Sequence, residues 1–382
     1  MISFLISSLA LLLVIGYYLL IHWLLYHWQQ IREWEFPSST KITTSVSILI
    51  PARNEAANIT ACIDSLLAQD FPSKLMEIIV IDDHSDDATP VLVQAYASPL
   101  VRLIKLADWA VADTMAFKKA AIQAGVQVAK GELILTTDAD CVVPQKWLRY
   151  MTSYFEGNDV KCIVGPVAFH EEKTHLERFQ SLDFLGMMLI TGAGIQSKIL
   201  HMGNGANLAY PRAVFQAVNG FDGVMDRASG DDMFLLQKII AKYPGKMGFL
   251  KQREATILTK AKPDLSAFIQ QRIRWGTKNT SYGERTITLV AGLVFLTCWS
   301  LLLSGLAILW GGWIALLFCL LLWGIKSLAD YHLLTNATAF FHRKDLRRFF
   351  WMGQIGHVFY IAFIGLAALV VKRYVWKGRR VE

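Results

Sequence analysis

From Ile287 to Ile325 the chain carries no charged side chain. A bilayer's hydrocarbon core takes a helix of about 20 apolar residues, so this run is too long for one crossing. Trp310-Gly-Gly-Trp313 offers a break inside it, and two spans are expected. Phe350 to Val371 reads as a further span, and Phe4 to Leu25 as another at the opposite end. No small-residue cleavage site follows Leu25; Tyr26-His-Trp-Gln-Gln-Ile-Arg32 comes next, so the first segment reads as an uncleaved anchor rather than a signal peptide. Trp and Tyr flank these segments, as rings do at headgroup depth. The pattern gives one N-terminal and about three C-terminal transmembrane helices. It also accounts for a chain that is 54% hydrophobic.

The net charge is +7, and much of the excess lies beside the apolar segments: His342-Arg-Lys344, Arg347-Arg348, and Lys372-Arg373 through Arg380. That placement suits an anionic membrane surface and excludes nucleic acid as the partner. The two basic clusters cannot both face the cytosol if Phe350 to Val371 crosses fully. His22 and His27 read as interfacial side chains. The five cysteines, Cys62, Cys141, Cys162, Cys298 and Cys319, show no zinc-ligand spacing and fit a reducing compartment.

Between the apolar ends lies a different pattern. After the anchor (residues 1–27) and a polar link (28–44) with Pro37-Ser-Ser-Thr40, short apolar runs alternate with helical stretches. Val46 to Ile50, Glu77 to Ile81, Val101 to Lys105 and Leu133 to Thr137 read as strands. Helices are expected from about Ala56 to Ala68, after a cap at Asp87 or Thr89, and from Lys118 to Ala129. Such alternation predicts a parallel α/β sheet, whose ligands bind beyond the carboxyl ends of the strands. Two of those ends carry paired acids, Asp82-Asp83 and Asp138-Ala-Asp140. Side chains two apart in extended chain point the same way. Two carboxylates so placed repel unless a cation sits between them, and a hard divalent ion with oxygen ligands, Mg2+ or Mn2+, is the expected one. Pro51-Ala-Arg-Asn-Glu55 occupies the place where a dinucleotide fold carries its glycines, which argues against a dehydrogenase or a P-loop hydrolase.

Beyond Asp140, Glu177 to Leu200 reads as an apolar-rich helix too polar at its edges to span, set against the membrane surface or in a core. Gly203-Asn-Gly-Ala-Asn207 is backbone that a ligand can approach closely. A helix opens at Gly230-Asp-Asp232, with Asp231 as its expected N-cap. A later helix, Asp264 to about Asn279, carries Gln271, Arg274 and Trp275 on one face.

In order, Pro51-x-x-Asn-Glu55, Asp82-Asp83, Lys118-x-x-Ala121, Asp138-x-Asp140, Gly230-Asp-Asp232 and Gln271-x-x-Arg274-Trp275 resemble the membrane-bound branch of glycosyltransferase family 2. That branch includes cellulose, hyaluronan and poly-N-acetylglucosamine synthases. The resemblance covers about residues 45 to 280. It implies a GT-A (Rossmann-like) fold over residues 45–284, followed by a membrane region over 285–382, and a nucleotide-diphosphate sugar as donor. It implies that Pro51, Ala52, Arg53 and Glu55 wall the donor base beside Asp83, and that Lys118 and Asp138 hold the ribose, sugar or diphosphate. It further implies Asp140 as the main metal ligand with Asp138 beside it, and Asp232 as catalytic base. Gln271, Arg274 and Trp275 would close on the diphosphate, with Gly205, Asn207, Asp231 and Trp275 on the acceptor side. Two positions depart from the family's pattern: Asp231 stands where Glu is commoner, and Gln123 where Asn usually follows the Lys.

The expected activity is inverting transfer of a sugar, UDP-linked by expectation, to a lipid or polysaccharide acceptor in cell-envelope glycan synthesis. The expected setting is a bacterial inner (plasma) membrane with the catalytic domain in the cytosol. The alternative is a catalytically silent membrane protein that binds sugar nucleotides as a sensor or scaffold.

Overall fold

The computed structural model describes residues 2–36, 41–109, 116–225, 230–276, 285–371, 374–376 and 379–381. The first elements are α1 (Ile2–Gln30), β1 (Val46–Ala52), α2 (Ile59–Leu67), β2 (Met76–Asp82), α3 (Thr89–Gln94), β3 (Val101–Lys105), α4 (Phe117–Val128) and β4 (Leu133–Thr136). Then come α5 (Trp147–Gly157), β5 (Cys162–Val164), β6 (Val167–His170), α6 (His175–Ser197), β7 (Leu208–Pro211), α7 (Arg212–Ala217), α8 (Asp231–Lys242), β8 (Met247–Phe249) and β9 (Ile257–Lys260). The last are α9 (Leu265–Gly276), α10 (Arg285–Phe340), α11 (Phe350–Val370), β10 (Tyr374–Trp376) and β11 (Arg379–Val381). The chain divides into two compact units.

The α/β unit comprises Ile31–His170, His201–Lys260 and Val375–Glu382. Its main sheet has the order β3-β2-β1-β4-β7-β5-β8. The first four strands are parallel, and β7 runs antiparallel to both β4 and β5. Ile48, Leu49, Ile50, Ile78, Ile79, Val80, Leu133, Ile134 and Leu135 are all fully buried. That is the near-continuous apolar reading expected of strands covered on both faces, and each such side chain contributes about 1.5–3 kcal/mol on burial. α4 lies close on this sheet: a Cβ on Gly125 would stand 3.1 Å from Leu49 and Ile81. The sheet's strand order reverses at β1, which has β2 on one side and β4 on the other. Register sets Ala52 beside Asp82 and Leu49 beside Thr136. The segments after β1, β2 and β4 therefore leave the sheet at one edge, at the switch point where open α/β sheets bind ligands. A second, two-stranded sheet pairs β6 with β9.

The helical unit comprises Met1–Gln30, Glu171–Leu200 and Ala261–Tyr374. Among the described residues, three of its helical stretches are long and apolar enough to cross a membrane: Ile6–Gln30, Arg285–Phe340 and Lys344–Val370. The 56 residues of α10 would run about 84 Å if straight, far beyond a bilayer. Gly312, at φ 57 and ψ −142, interrupts the helix inside the expected Trp310–Trp313 break. Cys298 and Leu301 before the break, and Leu322 after it, share one core cluster with Ala10, Val14 and Val358. The two halves of α10 thus fold back on each other. They supply two of the three expected C-terminal spans, and α11 supplies the third.

The two compact units do not divide at 284/285, the end of the expected GT-A domain with its interfacial helices. α6 and α9 belong with the spanning helices rather than with the sheet, because their apolar faces are buried there. Leu185, Leu189 and Ala193 of α6 are buried, and Phe179 packs beside Gly353 and Gly356 of α11. The helix expected over Glu177 to Leu200 is therefore a core helix of this unit. It starts earlier than expected because Thr174 and Glu177 form a capping box: Thr174 Oγ1 accepts from Glu177 N at 3.2 Å, and Glu177 Oε2 accepts from Thr174 N at 2.7 Å.

Candidate active site

At the edge of the α/β unit, the turn after β1 and the turn after β2 are stitched together. The Asp83 N–H donates to the Ala52 carbonyl at 2.8 Å. The Arg53 guanidinium donates to the carbonyls of Asp83 and His84 at 2.8 and 2.7 Å. Asn54 and His84 sit at φ 52 and 53, and Asn54 Oδ1 accepts from Asp86 N at 2.8 Å. Glu55 is buried. Its N–H donates to Thr89 Oγ1 at 2.8 Å, and its carboxylate accepts from Asn58 at 2.8 Å. Pro51, Ala52, Arg53, Glu55 and Asp83 thus lie at the end of β1 or in the turns after β1 and β2, where Arg53 and Glu55 brace the loops with the groups just named. The expected cap at Asp87 or Thr89 is corrected: Ala88 is the N-cap of α3 and makes no side-chain cap bond, while Asp87, one residue earlier, accepts from Thr89 N at 2.9 Å.

Sequence reasoning passed over Asp82. Its side chain is buried, and among the described residues its Oδ1 has no hydrogen-bond partner. An orphaned buried carboxylate oxygen beside a ligand edge is an acceptor waiting for a donor. The double Asp at a strand end carried that signal, but both side chains are buried and the sequence does not say which keeps an oxygen unbonded.

The second cluster forms where β4 ends. Lys118 of α4 reaches Asp138 Oδ1 at 2.7 Å and Asp231 Oδ2 at 3.4 Å. Burial by itself would lower the Lys118 pKa, but the carboxylates of Asp138 and Asp231 outweigh it and hold the ammonium well above the usual lysine range. Gly205 is wedged against this group: a Cβ there would stand 3.2 Å from Asp231 Oδ2 and 3.4 Å from Lys118 Nζ. Its N–H donates to Asp232 Oδ2 at 3.2 Å, and its carbonyl accepts from Thr136 Oγ1 at 2.7 Å. Met233 N donates to Asp232 Oδ1 at 2.7 Å. The Asp232 carboxylate is thereby oriented by two backbone N–H groups. Thr136, the last residue of β4, was also missed from sequence; it reads there only as a β-branched strand residue.

The N-cap assignment of Asp231 is corrected. Gly230, at φ 82, caps α8, and Asp231 occupies the first helical turn with its side chain turned to Lys118. A carboxylate in that turn is favoured by the helix dipole without capping it. Asn207 is corrected too. It is fully buried, its Oδ1 accepts from Trp147 Nε1 at 2.9 Å, and its Nδ2 donates to the Pro166 and Ala255 carbonyls at 2.8 and 3.0 Å. It is a structural joint between α5 and the segments flanking β6 and β9, with no atom left for an acceptor.

Asp138, Asp140 and Cys141 have ligand atoms within 4.8 Å of one another. Burial and the two neighbouring carboxylates push the Cys141 thiol up. The two half-buried carboxylates are a hard oxygen donor set, which fits Mg2+ or Mn2+. All five cysteines are free and buried.

Gln271, Arg274 and Trp275 lie on α9 of the helical unit, where Trp275 packs near Phe184 at 6.2 Å between ring centroids.

Residues 47–218 match the family model described as glycosyl transferase family 2, and residues 133–366 match that of glycosyl transferase family group 2. The chain is 29% identical over 144 residues to glycosyltransferase AglE of Haloferax volcanii, covering 37% of this chain and 46% of that protein. It is 33% identical over 178 residues to dolichyl-phosphate beta-glucosyltransferase ALG5C of Trichomonas vaginalis, covering 42% and 49%. It thus spans about half the length of these curated relatives. Among solved structures, mannosyltransferase PcManGT from Pyrobaculum calidifontis, in complex with GDP-Man and Mn2+, aligns with a TM-score of 0.58 at 19% identity over 94% of this chain and 99% of that one. The fold is the expected GT-A type.

Proposed function

Because the chain belongs to glycosyl transferase family 2, we propose that it is an integral-membrane enzyme that transfers a sugar from a nucleoside-diphosphate sugar to a lipid or glycan acceptor, with inversion. The observation that carries this is the convergence of Lys118, Asp138, Asp231, Asp232 and Gly205 at one strand edge, with Asp140 beside them. Asp82, Asp83 and the brace around Arg53 hold the nucleoside. Lys118 offers a fixed positive charge to the sugar-diphosphate. A divalent ion, when bound by Asp140 and Asp138, neutralises the leaving diphosphate.

Asp232 takes the proton of the acceptor hydroxyl as that oxygen bonds to the anomeric carbon. The bond from that carbon to the diphosphate oxygen breaks, and the electron pair leaves with the diphosphate. One base opposite the leaving group gives in-line attack and hence inversion. Gln271, Arg274 and Trp275 contribute to the diphosphate and acceptor, Arg274 as an always-charged fork suited to phosphate oxygens. The small number of spans, and a relative described as acting on dolichyl phosphate, favour a lipid acceptor and a single transfer. The membrane is proposed to be the plasma membrane, with the α/β unit in the cytosol.

The test is to incubate washed membranes holding the full chain with a panel of UDP-, GDP- and dTDP-sugars plus Mg2+ or Mn2+, and to measure released nucleotide. Release from one donor, absent with chelator and in Asp140→Ala membranes, is expected, with label passing into a lipid extract. No release from any donor with lipid extract added would favour a sugar-nucleotide sensor instead.

A further inference from the structure

A line of ionisable side chains runs through the interior of the helical unit. Lys326 and Asp330, on the second half of α10, are an i,i+4 pair at 2.6 Å, and both are buried. Lys326 Nζ also lies 3.2 Å from His357 Nδ1 of α11. A lysine ammonium has only hydrogens to give. Nδ1 therefore accepts, the other ring nitrogen carries the hydrogen, and it faces Asp183 of α6 at 3.9 Å. Tyr360 of α11 donates to the same carboxylate at 3.4 Å. Asp183 then meets Arg272 of α9 at 2.8 Å, both nearly inaccessible.

Charges among spanning helices are costly and occur where they do a task. Here the chain of charges ends on a particular helix. Arg272 lies beside Gln271 in sequence, and its guanidinium stacks 4.6 Å from the Trp275 ring and 5.1 Å from Phe268. On a helical wheel Trp275 falls between Gln271 and Arg272. A buried ion pair is costly to break by removing one partner, and it can specify a single register.

We propose that Asp183 is a positioning residue for sugar transfer. Through Arg272 it fixes the rotation of α9 within the helical unit and so the orientation of Trp275. This rests on the reading that gives Trp275 a part in transfer. The lysine–histidine–aspartate line behind it anchors Asp183 to α10 and α11.

The test is a double-mutant cycle in the full-length protein, read as nucleotide released per nucleotide-binding site from the active member of the UDP-, GDP- and dTDP-sugar panel. Asp183→Asn is expected to lower turnover tenfold or more in the otherwise unchanged chain. In a Trp275→Leu background it is expected to lower it less than twofold, because the group it aims is already gone. The same factor in both backgrounds, as a merely structural role would give, overturns the proposal. So does a loss under twofold in the unchanged chain. If Asp183→Asn does not accumulate, Asp183→Glu carries the same cycle; it keeps the charge and adds one methylene, and a threefold or greater loss confined to the Trp275 chain is expected. If Trp275→Leu itself leaves turnover unchanged, the role given to Trp275 fails. A loss in Trp275→Leu with none in either Asp183 variant overturns the positioning proposal alone.

Discussion

Lys118 of α4 bridges to Asp138, the first carboxylate after β4, at 2.7 Å. Since the ammonium's pKa is raised, the stability it contributes is present below the ordinary lysine value of about 10.4 and is lost only as pH rises through the higher folded value. Lys118→Met is therefore expected to destabilise the protein by roughly 1–3 kcal/mol, by the same amount from pH 6 to 9. Thermal melts of the two proteins across that range check it. A difference that fades between pH 7 and 9 would show that Lys118 titrates there.

Asp140→Asn keeps shape and removes the charge. Bound Mn2+, read by electron paramagnetic resonance, is expected to weaken at least about tenfold, with transfer falling in parallel and the melting curve unmoved. Unchanged Mn2+ affinity would remove Asp140 from the metal site.

Gly205→Ala places a Cβ 3.2 Å from Asp231 Oδ2 and 3.4 Å from Lys118 Nζ. Turnover is expected to fall about tenfold, equivalent to about 1.4 kcal/mol in the barrier, as the Asp232 acceptor bond to the Gly205 N–H is disturbed. Steady-state rates at saturating donor measure this, and full turnover would mean that the turn yields without consequence.

Glu156 of α5 accepts from the N–H and hydroxyl groups of both Thr43 and Thr44, at 2.8 to 3.2 Å. Burial raises its carboxyl, and those four bonds more than reverse this, leaving it below the usual glutamate range. Its contribution is thus present above the ordinary value of about 4.3 and lost as pH falls through the lower folded value. The protection of the amides in residues 41–45, taken relative to the intrinsic exchange rate at each pH, is expected to fall on acidification. In Glu156→Gln that protection should be lower at neutral pH and nearly independent of pH. Identical exchange profiles would contradict this.

At Gly312, φ 57 and ψ −142 suit glycine alone, and a side chain there costs about 1–3 kcal/mol. Gly312→Val is expected to lower accumulation and to change the sidedness of thiol labelling at an introduced Trp313→Cys. Unaltered labelling and yield would mean that the fold-back tolerates a side chain.

Much of this was legible before any coordinate. The strands from Val46, Glu77 and Leu133 announce themselves as short apolar runs, because both sheet faces are covered and the residues answer to one rule. The break at Trp310–Trp313 was legible because two adjacent glycines interrupt an otherwise helical run. Local pattern could not assign α6 to the helical unit, since an apolar helix with a few charges reads alike on a membrane surface and in a core; the partner of Asp183 lies far along the chain. Asn207 misled for a related reason. In sequence it neighbours glycines that approach the site, while its partners Trp147, Pro166 and Ala255 are distant. Asp231 looked like a cap because capping is a local rule, and the pull of Lys118 is not.

The Asn207 joint also limits how this sequence can drift. A Cβ on Gly165 would fall 2.4–2.5 Å from the Asn207 amide, so residue 165 is free to vary only if residue 207 moves first. Residue 207 in turn cannot become Asp, which lacks the two hydrogens that Pro166 and Ala255 receive, or Leu, which strands the Trp147 indole. Each of these single steps breaks a contact that the other residue of the pair depends on. The pair should travel through descendants as one inherited character, and a homologue that differs at one of them should differ at both, with Trp147 replaced as well.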